Sequence, residues 1–215
     1  MKTRIKMVAR LVSLLLVLPL LIADFLARQI SSEGLFVFCS QLLSLMPGTF
    51  GSYLRVAYYR HAMEYCSADC YIGFGTIFSQ RATRVGHGVY IGPQCNVGAC
   101  TIGADSLIAS GVHIMSGSEQ HHFDDLHTPI REQGGVLSQI SIGEDCWIGN
   151  AALIMADLGD KTVIGAGSVV TQALGSYKIA VGNPAKVLRS RLDDSRETIA
   201  ITAAPIQDSQ KDSVQ

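Results

Sequence analysis

The stretch RVGHGVYIGPQCNVGACTIGADSLIASGVHI, from Arg84 to Ile114, repeats itself with a beat of six residues. Val85, Ile91, Val97, Ile102, Ile108 and Ile114 mark the beat, which extends back to Ile72 and Phe78. After a gap it returns at Ile142, Ile148, Ile154, Ile164 and Val170. Gly often follows directly, as at Ile91-Gly92, Ile102-Gly103 and Ile148-Gly149. A helix buries every third or fourth residue and a half-buried strand every second. A period of six fits neither alone. It fits a short strand, a corner and a repeat, three sides closing a triangular coil of about 18 residues.

The expected fold is therefore a hexapeptide parallel β-helix, an all-β prism. Each beat residue points to the axis and rests on its counterpart one coil away, at roughly the 4.8 Å strand spacing. Gly after the apolar residue is expected at corners, where a side chain would be costly. About five coils fit between Cys66 and Gly182, enough for stability by stacking of neighbours. The slips in the beat, at Val85, Ile102 and Ile164, are expected at corners or in shortened coils. The competing reading is a chance run of β-branched residues in an ordinary sheet protein.

The chain has 215 residues and a net charge of -1, which suits one core plus appendages and supplies no basic field for nucleic acid. Apolar residues make up 48% and charged ones 16%. Three segments are expected: an N-terminal hydrophobic helical, membrane-associated segment over 1–60, a β-helix domain over 61–191, and a flexible tail over 192–215 with a short helix near its start. In the first segment Lys2, Arg4, Lys6 and Arg10 precede the apolar stretch Leu11 to Ala23, and Leu35 to Met46 is a second apolar stretch. The first stretch reads as a signal peptide, as one span from Met7 to Ala27, or as one arm of a hairpin whose other arm is the second stretch. A soluble helical subdomain packed on the prism is the fourth reading. Basic residues ahead of the span favour an inside N-terminus.

The six cysteines, Cys39, Cys66, Cys70, Cys95, Cys100 and Cys146, form no paired CxxC pattern. Most fall inside the repeat, where a free Cys serves as a small buried hydrophobe.

The beat stops between Ile114 and Ile140. The insert, residues 115–139, reads MSGSEQHHFDDLHTPIREQGGVLSQ and carries His121, His122, His127, Asp124, Asp125, Arg131 and Glu132. Inserts at the corners of solenoids serve binding. Histidine is the side chain best suited to take a proton near neutral pH. Asp124 and Asp125 also read as caps of the loop, with Arg131 pinning it by pairing with them.

Several motifs carry a family resemblance: Asp105 to Ile114, the loop with Gln120-His121-His122-Phe123-Asp124-Asp125, Pro129-Ile-Arg131, Ile142 to Asn150, Ile164 to Thr171, and Val181-Gly-Asn-Pro184-Ala-Lys186-Val-Leu-Arg189. Over Tyr71 to Arg191 the chain resembles the hexapeptide-repeat acetyltransferases, whose core is a left-handed parallel β-helix. Its N-terminal segment, with Pro47-Gly-Thr-Phe-Gly and Tyr58-Tyr-Arg, looks like membrane-associated members in exopolysaccharide biosynthesis.

The resemblance implies O-acetyl transfer from acetyl-CoA to a saccharide or lipid-linked glycan hydroxyl, with no metal. It implies a homotrimer with sites between protomers; with an inside N-terminus a hairpin leaves the catalytic domain facing the cytoplasm at the inner (cytoplasmic) membrane, which is the expectation, and a single full span would put it outside. It places the general base at His121 and an oxyanion donor at the backbone N–H of Asn150. It places coenzyme A along Trp147, Gly149, Ala166, Ser168, Thr171, Lys186 and Arg189, with Ala166 and Ser168 offering backbone contacts. Asn96, His122, Asp124 and Arg131 are the acceptor-side residues. Gln172 stands where the family often has Lys. A γ-carbonic-anhydrase-like zinc enzyme using His87, His113 and His121 or His122, and a non-catalytic trimeric membrane scaffold, are the alternatives.

Overall fold

The structure is a computed structural model and describes residues 2–29 and 33–193. The expected C-terminal helix and tail fall mostly on residues 194–215, outside the described residues.

Residues from Tyr65 onward wind as a parallel β-solenoid with three faces. Face A stacks Tyr65–Cys66, Arg84–Val85, Cys100–Ile102 and Ile140–Ile142, and bridges at Leu158 and Leu174 continue it. Face B stacks Tyr71–Ile72, Tyr90–Ile91, Leu107–Ile108, Trp147–Ile148, Val163–Ile164 and Lys178–Val181, and is closed by the antiparallel strand Lys186–Ser190. Face C stacks Ile77–Phe78, Asn96–Val97, His113–Ile114, Leu153–Ile154 and Val169–Val170. All the beat residues lie inward, and none is more than 2% exposed. In register they form columns such as Ile72, Ile91, Ile108, Ile148, Ile164 and Ala180 on face B.

The solenoid has about six turns rather than the expected five. The gap from Ile154 to Ile164 holds Leu158, which is 2% exposed and pairs with Ile142. Every slip in the beat falls at the corner from face C to face A. The steps there run from Phe78 to Val85, Val97 to Ile102, Ile154 to Leu158 and Val170 to Leu174, and the insert 115–139 opens at the same corner. The other two corners keep the strict six, because their geometry is set by a left-handed residue three places after each inward one. Gly88, Asp105, Asp145, Lys161 and Tyr177 take this role from A to B, with φ between 50° and 66°. The Gly following an inward Ile stands where a side chain would be costly, as expected, and the cost comes from the neighbouring coil. A Cβ on Gly149 would lie 2.5 Å from the amide nitrogen of Ala166 in the next coil, so the coils need Gly there to stack.

Two places before most inward residues sits a second buried position, filled mainly by Ser, Thr, Cys, Ala or Val. Thr76 donates its hydroxyl to the Gly92 carbonyl (2.7 Å) and accepts from the Cys95 amide (3.2 Å). Ser106 does the same with Gly143 (2.9 Å) and Cys146 (3.0 Å). Cys70, Cys95, Cys100 and Cys146 occupy equivalent places, and all six cysteines are free and buried. Burial pushes the Cys100 thiol up to about 12, so it has no thiolate character at neutral pH. The expectation of small buried fillers matches this placement.

Three helices precede the solenoid: α1 (Lys2–Arg28), α2 (Gly34–Ser44) and α3 (Gly48–Ala62). The first coil of a solenoid exposes an apolar end that needs a cap. Helices α2 and α3 provide it, burying Phe36, Cys39, Leu43, Tyr58 and Tyr59. Tyr59 meets Phe78 edge-on at 4.6 Å between ring centroids. The fully buried Arg55 donates to the carbonyls of Ile72 (3.0 and 3.1 Å), Leu43 (2.9 Å) and Met46 (2.7 Å), tying the cap to the coil. The second apolar stretch thus packs against the solenoid end. Helix α1 contains a segment, Arg4–Arg28, with an 18-residue window of mean hydropathy 2.3, long and apolar enough to cross a membrane by length and composition.

Candidate active site

The histidine loop rises from the C-to-A corner as a hairpin-like arm. Its stem is joined by Ser138 N–H to Ser116 O (3.0 Å), Val136 N–H to Glu119 O (2.7 Å) and His122 N–H to Gly134 O (3.0 Å). Its tip is held by Asp125 and Gln133. The Asp125 carboxylate accepts from the Thr128 hydroxyl (2.7 Å) and the His127 amide (2.8 Å), and Gln133 donates to the Asp125 and Thr128 carbonyls (2.7 Å each). The Thr128 hydroxyl and then the His127 amide hold the Asp125 carboxyl below its usual range.

The expected pinning of the loop by Arg131 differs in the structure. Arg131 pairs with its neighbour Glu132 (3.2 Å), not with Asp124 or Asp125. The 3-10 turn Ile130–Glu132 sets these two side by side, while Gln133 takes over the tip. His121, His122, Asp124 and Arg131 are all exposed on the arm. Among the described residues neither imidazole has a hydrogen-bond partner. Phe123, Leu126, Ile130 and Leu137 are more than half exposed on the same arm, an apolar surface unusual for a free loop.

On face C, Asn96 and His113 are register partners on consecutive coils, both outward and exposed. His113 was legible only as an outward residue of the repeat; its pairing with Asn96 follows from coil register. His87 stands instead at the A-to-B corner, bound to Asp69 at 2.7 Å. Among the described residues no three His, Cys, Asp or Glu side chains gather to hold a metal.

Trp147 is not at a corner. It projects from the middle of face B, 55% exposed, in an outward column with Leu107, Val163 and Ile179. These four, with Asp105, Asp145, Cys146, Arg189 and Arg191, line a groove of about 510 Å³. Arg189 enters it because the strand Lys186–Ser190 pairs Arg189 with Ile179. Asp145 is neutralised by Lys161 (3.3 Å) and Arg191 (3.8 Å). Arg189 has no carboxylate partner among the described residues. The spacing of motifs pointed to Trp147 and Arg189; it missed Arg191 and Asp145, which come from coils far apart in sequence.

Asn150 and Ala166 stack at the B-to-C corner, both exposed, with Gly167 N–H donating to Asn150 O (2.8 Å). Among the described residues the Asn150 and Ala166 amides meet no acceptor, and the same holds for Ser110 one coil before. Ser168 differs from the expectation. It is fully buried, its hydroxyl accepts from Gly182 N–H (3.0 Å), its amide donates to Gly165 O (3.3 Å) and its carbonyl accepts from Leu153 N–H. Its position two before the inward Val170 makes it a corner filler, with no free backbone donor. Thr171 is exposed at the C-to-A corner, and Lys186 is exposed beside Val181.

The candidate residues therefore wrap around one prism from face B across face C to the arm. No residue of the arm lines the Trp147 groove.

Comparison with known proteins agrees with this architecture. A family model described as "Hexapeptide repeat of succinyl-transferase" matches residues 139–172. The chain is 33% identical over 117 residues to the putative colanic acid biosynthesis acetyltransferase WcaF of Escherichia coli, covering 51% of this chain and 59% of that protein. It is 38% identical over 93 residues to the galactoside O-acetyltransferase of Escherichia coli, covering 41% and 43%. The chain spans between 30% and 62% of the length of the relatives it matches. Among solved structures, a maltose O-acetyltransferase from Clostridium difficile superposes with a TM-score of 0.62 at 24% identity, covering 70% of this chain and 81% of that one. A galactoside acetyltransferase in complex with coenzyme A gives 0.63 at 24% identity, covering 74% and 80%. The fold is that of the hexapeptide β-helix, which the matched repeat model and these solved structures share.

Proposed function

We propose that this protein is an acetyl-CoA-dependent O-acetyltransferase acting on a saccharide or glycan-lipid hydroxyl in exopolysaccharide biosynthesis. The observation that carries the reading is the pairing of two incomplete half-sites on one prism. One is a histidine-bearing arm with exposed apolar groups. The other is a groove with an indole wall and an unpaired guanidinium. A trimer in which the arm of one protomer reaches face B of the next completes both and covers the apolar surface. The galactoside acetyltransferase seen with coenzyme A and the colanic acid relative support the co-substrate and the class of acceptor. Association with the cytoplasmic membrane through the N-terminal helices, with the prism facing the cytoplasm, goes with this reading.

The residues suit the chemistry. A sugar hydroxyl is a poor nucleophile until its proton is removed. His121 takes that proton as the hydroxyl oxygen attacks the thioester carbonyl, a step worth typically about 10²–10⁴-fold. The free N–H of Asn150 donates to the oxyanion that forms. When the carbon–sulfur bond breaks, the His121 imidazolium returns the proton to the thiolate. Trp147 with Leu107 and Val163 offers an apolar wall for the pantetheine arm, and Arg189, Arg191 and Lys186 offer cations for phosphate. Asn96, His122, Asp124 and Arg131 lie on the acceptor side.

The test is release of free thiol from acetyl-CoA with candidate glycan acceptors, reading the acetylated product by mass. His121→Ala is expected to lose activity by at least about 10²-fold while keeping trimer and coenzyme A binding; undiminished turnover sinks the reading. Stoichiometric zinc in purified protein would favour the carbonic-anhydrase-like reading, and failure to bind acetyl-CoA would favour a scaffold.

A further inference from the structure

Helix α1 has a buried stripe at helical spacing. Ser13, Val17 and Asp24 are each 1% exposed, and Leu14, Leu20 and Leu21 pack against the core between them. The stripe runs from Ser13 to Asp24, and the helix rests on α3 and α2. Two places along the helix also lie beside the solenoid. Arg10 shares a cleft with Ala68, at the A-to-B corner of the first coil. The Asp24 carboxylate accepts two hydrogen bonds from Arg81, at 2.6 and 2.7 Å, at the C-to-A corner. Asp24 lies fourteen positions beyond Arg10, a rise of about 21 Å along the helix. A helix held at two corners of one coil lies along the base of the prism.

The opposite face of α1 is apolar from Ile5 onward: Ile5, Val8, Leu15, Ile22 and Leu26 are each more than half exposed, with Arg4 at its start. It continues onto Phe50 of α3, which shares an almost wholly apolar groove with Val8 and Val12. The charges on this helix are one-sided. Arg4, Lys6 and Arg10 stand near its start, no acidic residue lies in its first turn, and its one acid is consumed by Arg81 and Arg28. Apolar outward positions with Arg4 among them, and Lys6 and Arg10 at the flank toward the solenoid without an ion pair among the described residues, match a leaflet with anionic headgroups.

We infer that α1 is an in-plane anchor, lying in one leaflet of an anionic bilayer with its apolar face in the acyl region and not crossing to the other side. Crossing would strip the Ser13–Asp24 stripe from α3 and carry the Asp24–Arg81 pair away from its partner, or pull the prism into the bilayer. The inference deepens the membrane reading above and does not depend on acetyl transfer.

Two measurements on the full chain test it. Epitope tags at the N-terminus and the C-terminus are probed by protease in right-side-out and inverted membrane vesicles. An in-plane anchor exposes both tags in the same preparation; tags on opposite sides overturn the inference while leaving membrane association intact. In flotation with phosphatidylcholine vesicles containing phosphatidylglycerol, Leu15→Glu/Ile22→Glu is expected to lose at least about ten-fold in bound fraction with an unchanged melting transition. Lys6→Glu is expected to lose binding only to the anionic vesicles. Equal flotation of the double variant and the parent overturns the inference. So does a parent that binds no vesicle and instead self-associates through α1 in sedimentation, and that result removes the membrane reading too.

Discussion

Asn96 and His113 are register neighbours on face C, one coil apart, and His113 is the last outward residue before the histidine arm departs. Both are exposed and both can hydrogen-bond, so this part of face C is polar while the column beyond it, through Leu153 and Val169, is apolar. In the proposed reading Asn96 is an acceptor-side residue. Asn96→Ala is expected to raise the KM for the acceptor about ten-fold, the loss of one hydrogen bond to a polar ligand, with the KM for acetyl-CoA unchanged. Steady-state kinetics with each substrate varied in turn checks it; an equal rise in both constants would point to a structural effect instead.

Arg189 faces the groove beside Trp147 without a carboxylate partner among the described residues, whereas Arg191 is engaged with Asp145 and with the Lys161 carbonyl at 3.0 Å. The two arginines should therefore separate in function. Arg189→Ala is expected to raise the KM for acetyl-CoA about ten-fold and to leave acetyl-pantetheine, which lacks the nucleotide phosphates, nearly unaffected. Arg191→Ala is expected to lower the melting temperature more than it changes either constant.

How much of this was legible in the sequence follows from what each residue touches. The inward columns were readable because every place on the axis must be apolar and meets its like one coil away. Leu158 and Leu174 escaped because the C-to-A corner shortens to a step of four there, and because Leu broke the run of β-branched residues. The small residues two places before each inward one looked like filler and are a hydroxyl ladder, since only the stacked coils bring the Ser106 hydroxyl to the Cys146 amide. Ser168 belongs to that ladder, which a motif match could not distinguish from a ligand contact. The Asp145–Arg191 contact joins coils on either side of several turns and left no local mark. The relation of arm to groove was not legible in one chain for a physical reason: they stand on different sides of one prism.

The face B column makes a sharp stability prediction. Ile148 is fully buried between Ile108 and Ile164, with strand pairs fixing it from both sides. Ile148→Ala is expected to cost about 2–5 kcal/mol, because the coils cannot collapse into the cavity without breaking their hydrogen-bond spacing. Leu153→Ala, on an outward and half-buried position, is expected to cost about 1 kcal/mol or less. Denaturant unfolding of the two variants, compared at equal slope, checks the difference.

Asp125 makes the arm sensitive to acid in a defined direction. The Thr128 hydroxyl and the His127 amide both donate to its carboxylate, so the folded tip favours the charged form and the carboxyl lies below its usual range. A lowered value in the folded state means that the stabilisation is fully present above the unfolded carboxylate value of about 3.9 and is lost as pH falls through the lowered one. The tip should thus stay ordered from neutral pH down past the ordinary carboxylate range. Amide resonances of His127 and Thr128, followed by NMR against pH, should shift with a midpoint below that of an unstructured aspartate; a midpoint at or above it would contradict the tip geometry. Asp125→Ala removes the same acceptor at every pH. It is expected to lower kcat about ten-fold by loosening the arm that carries His121, while the melting transition of the solenoid stays where it was, because the tip contributes nothing to the buried columns.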